Sequence, residues 1–179
     1  DFLTKEYQAG EMDRSQKWEM CRGMGLSFGY NEIEGDDQLI TVPKLVNLLV
    51  STVANNGNLL LNIGPKADGT IPAEQVRRLE ILGEWLSVNG VGIFETHPSD
   101  RESEIREDGM ELHYTRKDHV LYVFADGLKD GVNEFLISDF HGNLRPLDER
   151  LQIETIPAGD GLLVRTKNYQ AGMYAIGLT

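Results

Sequence analysis

The 179-residue chain is acidic, with a net charge of −12, and 40% of its residues are apolar. That length is enough for one ordinary domain or two small ones, and the negative charge disfavours a phosphate-backbone partner, so no nucleic-acid binding is expected. The single cysteine, Cys21, excludes an internal disulfide and a Cys-rich metal motif. No apolar run approaches the ~20 residues of a membrane span, so no membrane partner is expected.

Residues 1–17 carry no clear period and read as a polar loop around Gly10, Asp13 and Ser15. Within it Glu6 stands beside Tyr7, either as a solvated loop acid or as a carboxylate placed against an aromatic. Lys17 to Cys21 reads as a short strand with alternating sides. Arg22 to Gly29 holds three glycines, a backbone that can pass close to a ligand. Phe28 and Tyr30 would share one face of an extended chain, as a platform for an apolar ligand surface or as core packing. Residues 31–38 are an acidic loop whose spacing does not match a calcium-binding EF-hand, and they read as solvated surface.

A helix is predicted from about Val42 to Asn55. Thr41 can cap it, Pro43 is tolerated in its first turn, and Leu45, Leu48, Leu49 and Val53 form its buried face. Asn56-Gly57 ends it. The apolar run Gly57-Asn58-Leu59-Leu60-Leu61-Asn62-Ile63 then reads as a strand buried on both faces, as in a parallel sheet or barrel. Asn62, polar at its exit, either caps the Gly64-Pro65 turn or serves a site, since sites of α/β barrels lie at the C-terminal ends of strands. A second helix starts near Pro72, with Val76, Leu79, Gly83 and Leu86 on one face and Gly90 at its end. Gly92-Ile93-Phe94 reads as another short strand.

From about Pro98 the period changes from helix to strand. Candidate strands are 111–116, 120–124, 134–138, 151–155, 162–166 and 173–178, which suggests an antiparallel β-sandwich. His97, His113, His119 and His141 lack metal-ligand spacing, and His113 and His119 read as surface or hairpin residues. No metal site is expected. Cys21 has no protease signature around it, and the glycines of residues 64–70 lack the Gly-Lys-Ser/Thr ending of a phosphate loop.

Several motifs stand in order: Trp18-Glu19-Met20, Ser27-Phe28-Gly29-Tyr30-Asn31, Gly57 through Pro65, Asp68-Gly69-Thr70-Ile71-Pro72, and Gly83-Glu84-Trp85-Leu86 through Asn89-Gly90. This succession resembles the second half of an α-L-fucosidase of glycoside hydrolase family 29, strongly over residues 1–97 and weakly over 98–179. The resemblance implies an α/β plus all-β chain: a C-terminal segment of a (β/α) barrel in 1–97, then an antiparallel β-sandwich in 98–179. It implies retaining hydrolysis of terminal α-L-fucosides, without a cofactor, by two carboxyl groups. The nucleophile, an aspartate in this family, would lie on an earlier strand outside the chain. The chain starts at Asp1, inside a motif, and is therefore expected to be a C-terminal piece that needs a complementary N-terminal half of the barrel. Glu6 is the favoured acid/base and Glu19 the alternative. Phe28 matches an aromatic that packs on the fucose methyl group, and Tyr30 and Trp18 are its expected companions in substrate binding. The expected partner is a fucosylated glycan or small fucoside; a homo-oligomer stays open, and no compartment is assigned. The competing reading is a non-catalytic carbohydrate-binding or structural module.

Overall fold

A computed structural model of the protein describes residues 3–7 and 15–179. The motif residues Asp1 and Phe2 and the loop residues Gly10 and Asp13 lie outside the described residues. The chain divides into two compact units, residues 1–87 and 88–179, and the division falls inside a helix.

The first unit is α/β. Strand β1 (Leu3–Glu6) lies parallel to β2 (Trp18–Gly23), which lies parallel to β3 (Gly57–Asn62). Glu6 therefore ends a strand and is not a loop residue, as the aperiodic sequence around it had suggested. Its four-residue strand is too short for an alternating pattern to stand out. Helix α1 (Val42–Ala54) connects β2 to β3, and α2 (Ala73–Asn89) follows β3.

Residues opposite one another in register share a face of the sheet. Thr4, Glu6, Glu19, Cys21, Asn58 and Leu60 take one face; Leu3, Trp18, Met20, Gly57 and Leu59 take the other. The second face meets α1. Trp18 is 2% exposed, and its indole N–H donates to the carbonyl of Asn55, the residue that closes α1, at 2.7 Å. A Cβ on Gly57 would stand 2.6 Å from the Trp18 ring and 2.8 Å from Thr52 Cγ2, so glycine sets the approach of helix to sheet here. The opposite face is open: Leu60 is 49% exposed. The expectation that β3 is buried on both faces is not met: on the face under α1 Gly57 is buried and Leu59 and Leu61 are half-buried, and the other face is open.

Both helices turn a different side inward than the apolar pattern suggested. In α1, Leu45, Val46, Val50 and Ala54 are buried, while Leu48, Leu49 and Val53 are half-buried. The 46, 50, 54 row offers small side chains that let the helix sit close to the sheet. Thr41 occupies the cap position, but its side chain makes no capping bond. In α2 the buried positions are Gln75, Arg78, Leu82, Trp85 and Asn89, and Gly83 is exposed. That stripe is half polar, so hydrophobicity alone does not reveal it.

The second unit is an antiparallel β-sandwich. One sheet has the order β11-β7-β6-β4, with β5 also on β6: β4 (His97–Pro98), β5 (Glu104–Ile105), β6 (Glu111–Lys117), β7 (Val120–Asp126) and β11 (Ile176–Leu178). The other has the order β8-β10-β9, from β8 (Gly131–Ile137), β9 (Ile153–Ala158) and β10 (Gly161–Tyr169). Leu112, Tyr114, Val123 and Ala125 of the first sheet share one core with Phe135, Ile137, Leu162 and Val164 of the second. Residues 92–94 form no strand: a 3₁₀ turn spans Gly90–Gly92, and Glu95 follows at φ 58. Likewise Met173 ends a 3₁₀ turn and the last strand starts only at Ile176. His113 is not a surface residue. It is 3% exposed, with Nδ1 2.9 Å from Ser103 Oγ and Nε2 3.1 Å from Glu111 Oε2.

Candidate functional site

The C-terminal ends of β1, β2 and β3 bring together Glu6, Tyr7, Gly23 and Asn62, and the loop from Met24 to Thr41 folds over them. Tyr7 adopts a positive φ of 50, a backbone region that side chains other than glycine seldom take. Its hydroxyl accepts from the Gly23 N–H at 2.9 Å and donates to the Gly25 carbonyl at 3.2 Å. Its ring meets Phe28 edge to face, with centroids 5.2 Å apart, and the Arg22 guanidinium lies 5.2 Å from the Tyr7 centroid. The residue after Glu6 thus ties β1 to the loop that carries the aromatic pair.

That loop is held through its backbone. The Asn62 amide donates to the Phe28 carbonyl, and Met24 N–H donates to the Asn62 carbonyl at 3.2 Å. Glu34 Oε1 accepts two consecutive amides, Leu26 at 2.7 Å and Ser27 at 3.0 Å. From α2, Arg78 donates to the Ile40 carbonyl at 2.7 Å, to the Asp36 carbonyl at 3.1 Å and to Asp36 Oδ1 at 2.6 Å. The acidic stretch is therefore pinned to α2 rather than simply solvated. Gln75 Oε1 accepts the Gly64 N–H at 3.0 Å and fixes the turn after β3. Asn62 acts on the loop as well as ending its strand, and Arg78 and Gln75 are positioning residues that sequence reasoning missed. Their signal was two polar residues three apart on the inward side of an amphipathic helix.

Of the expected site residues, Glu6, Glu19, Phe28 and Tyr30 are accessible to differing degrees. Glu6 is exposed at the strand end; Glu19 is half-buried on the same face of the sheet. Glu6 stands opposite Cys21, so Glu19 lies one strand across and two residues back, about 8 Å away at the backbone. Phe28 and Tyr30 are 36% and 44% exposed, so neither is spent on core packing. Trp18 is on the other face, closed over by α1, and the structure does not bring it to the carboxylates. A strand motif alternates sides, so Trp18 and Glu19 cannot both face one ligand. Tyr30 also lines a pocket of about 180 Å³ with Asn31, Glu32, Glu34, Lys66 and Gln75. That pocket includes neither Glu6 nor Phe28, and the strand-end geometry carries the site instead. Among the described residues, no group of three or more His, Cys, Asp or Glu side chains could hold a metal ion, and no helix is long and apolar enough to cross a membrane.

The family model described as Alpha-L-fucosidase matches residues 1–91. The human plasma alpha-L-fucosidase is 41% identical over 114 residues, which cover 63% of this chain and 24% of that protein. The alpha-L-fucosidase of Dictyostelium discoideum is 45% identical over 85 residues, 48% of this chain and 18% of that protein. Among solved structures, Thermotoga maritima alpha-fucosidase in complex with fucose matches with a TM-score of 0.76 and 37% identity, covering 99% of this chain and 42% of that one. The chain spans about a quarter of the length of the plasma relatives it matches.

Proposed function

The chain belongs to the alpha-L-fucosidase family, glycoside hydrolase family 29, and from that premise we propose that it is the C-terminal part of a retaining α-L-fucosidase. Residues 1–97 contribute the last part of a (β/α) barrel and residues 98–179 a sandwich with no catalytic side chain. The observation that carries this reading is Glu6 itself. It ends a parallel strand, on the sheet's open face, next to the Tyr7–Phe28 ring pair. Active sites of such barrels form at the C-terminal ends of strands. Glu19 lies deeper along the same face, which favours Glu6 as the acid/base.

In this reading a carboxylate outside these 179 residues attacks the anomeric carbon while the Glu6 carboxyl donates its proton to the departing oxygen. The Glu6 carboxylate then takes a proton from water as that water attacks the same carbon and frees the nucleophile, so the product retains its α configuration. Phe28 covers the C6 methyl of the deoxy sugar, where removing one apolar carbon from water is worth about 0.8 kcal/mol. Terminal α-linked fucose on a glycan, or a small fucoside, is the substrate class.

The test is assembly. This chain alone should not turn over an aryl α-L-fucoside, and it should do so when combined with the upstream barrel part of a family member. Turnover by the pure 179-residue chain, or none by the assembly, would overturn the reading. Within the assembly, Glu6→Ala should keep the first step on an aryl fucoside with an acidic phenol, stall in the second, and be rescued by azide as α-fucosyl azide. General acid–base catalysis is worth about 10²–10⁴-fold, so the loss is easily measured. Rescue in Glu19→Ala and none in Glu6→Ala would move the role to Glu19.

A further inference from the structure

Phe28 and Tyr30 are exposed aromatics on a glycine-containing loop, and packing alone does not explain why they hold one position. Glu34 supplies the missing constraint. Its Oε1 accepts the N–H groups of Leu26 and Ser27 at 2.7 and 3.0 Å, so one oxygen gathers two successive amides just before Phe28. The loop is shaped around that carboxylate. A Cβ on Gly25 would stand 2.2 Å from Glu34 Oε2 and 2.5 Å from Oε1, so residue 25 is glycine where the carboxylate passes. Glu34 N–H donates to the Asn31 carbonyl at 3.1 Å, and Asn31 Nδ2 donates to Ser27 Oγ at 3.1 Å, which closes the loop back on itself.

We propose that Glu34 is a positioning residue for the sugar-binding loop: by fixing the Leu26 and Ser27 amides it sets where the Phe28 ring stands against Tyr7, and so how the site reads the sugar's C6 position. The proposal rests on the α-L-fucosidase reading for the sugar's identity, but the anchoring itself does not. Charge-assisted bonds to a carboxylate are the stronger kind, yet the geometry asks chiefly for an acceptor at the right reach. Gln keeps that reach and loses the charge. Asp keeps the charge and is one methylene short.

Two measurements test this on Glu34→Gln, Glu34→Asp and Glu34→Ala. The first is amide exchange and the Tyr7–Phe28 ring contact by NMR in the 179-residue chain. Glu34→Ala and Glu34→Asp should exchange the Leu26 and Ser27 amides about 10-fold faster or more, the effect of losing a hydrogen bond of ordinary strength, and should lose the ring contact. Glu34→Gln should keep both. The second is discrimination, in the assembled enzyme, between an aryl α-L-fucoside and its 6-hydroxy counterpart, the aryl α-L-galactoside. Phe28→Ala should reduce that discrimination, Glu34→Ala should reduce it in the same direction, and Glu34→Gln should restore it. In the Phe28→Ala background, Glu34→Ala should add nothing. Unchanged exchange in Glu34→Ala, or Asp behaving as wild type while Gln behaves as Ala, overturns the positioning role. Lost amide protection with Phe28→Ala leaving discrimination unchanged overturns the sugar reading instead, and with it the link from Glu34 to C6.

Discussion

Trp18 offers a direct test of which face of the sheet is core. Its indole is 2% exposed, donates to the Asn55 carbonyl at 2.7 Å, and leaves no room for a Cβ on Gly57. Trp18→Phe deletes the donor and strands a carbonyl at the end of α1, which costs about 1–3 kcal/mol. It also empties part of the indole volume, roughly 40 Å³, or about 1 kcal/mol at ~24 cal/mol per Å³ of cavity. The sum is about 2–4 kcal/mol. Gly57→Ala in the wild-type background forces the ring or Thr52 to move and should cost about 1–3 kcal/mol by overpacking. In the Trp18→Phe background the added methyl enters vacated space, so the double variant should be less destabilised than the sum of the singles by about 1 kcal/mol or more. Urea unfolding followed by far-ultraviolet circular dichroism measures all three. Strictly additive costs would refute the steric argument. A Trp18→Phe variant of wild-type stability with weakened fucose binding in the assembled enzyme would refute the placement of Trp18 in the core and return it to the substrate side.

Arg78 anchors the acidic loop mainly through carbonyls, because its Asp36 partner is 66% exposed at the side chain; Arg78→Ala should therefore cost about 2–3 kcal/mol and Asp36→Asn less than about 1 kcal/mol, read by the same unfolding experiment. His113 is pushed below its ordinary pKa by burial, against the opposing pull of Glu111 and then Asp126. The folded state thus prefers the neutral ring, and the stability this contributes is present above the ordinary value near 6.5 and is lost as pH falls below it toward the folded value. Thermal unfolding between pH 7.5 and 5 should show that decline, and His113→Gln should flatten it; an equal slope in both would exclude His113 as its source.

The strands and helices that an apolar period can reveal were legible. The strand at 57–62, the 42–54 helix and the alternating strands of the sandwich follow from side-chain pattern alone, although the burial expected of Leu59–Leu61 does not. Features decided by a polar side chain were harder to read, as were the inward side of α1 and the turn at 90–92. The inward stripe of α2 runs through Gln75 and Arg78, which are buried because they bind backbone groups of other segments. His113 looked like a surface or hairpin residue because its polar partners are not apparent from a strand's apolar pattern: Glu111 lies two positions back on the same side of β6, and Ser103 meets it only once β5 pairs with β6. Around the proposed site, which side of the sheet each side chain takes was not readable from the sequence. Trp18 and Glu19 are neighbours in sequence and face opposite ways, and only the parallel register with β1 and β3 says which of them looks toward Glu6.

The same polar anchors explain how the site can leave apolar side chains in water. A loop is usually fixed by burying its own hydrophobic residues. Here Leu26 and Ile33 are 75% and 88% exposed, and Phe28 and Tyr30 are only partly covered. Had these side chains held the loop by packing, they could not also meet a ligand. Instead the backbone is held at five points by side chains from three segments: Glu34 on the Leu26 and Ser27 amides, Asn62 on the Phe28 carbonyl, and Arg78 on the carbonyls of Asp36 and Ile40. Each bond is directional, so the loop acquires one conformation without giving up its apolar surface. The partly exposed rings of Phe28 and Tyr30 are what the proposed reading assigns to the methyl group of a deoxy sugar, and the polar anchors leave them available for it.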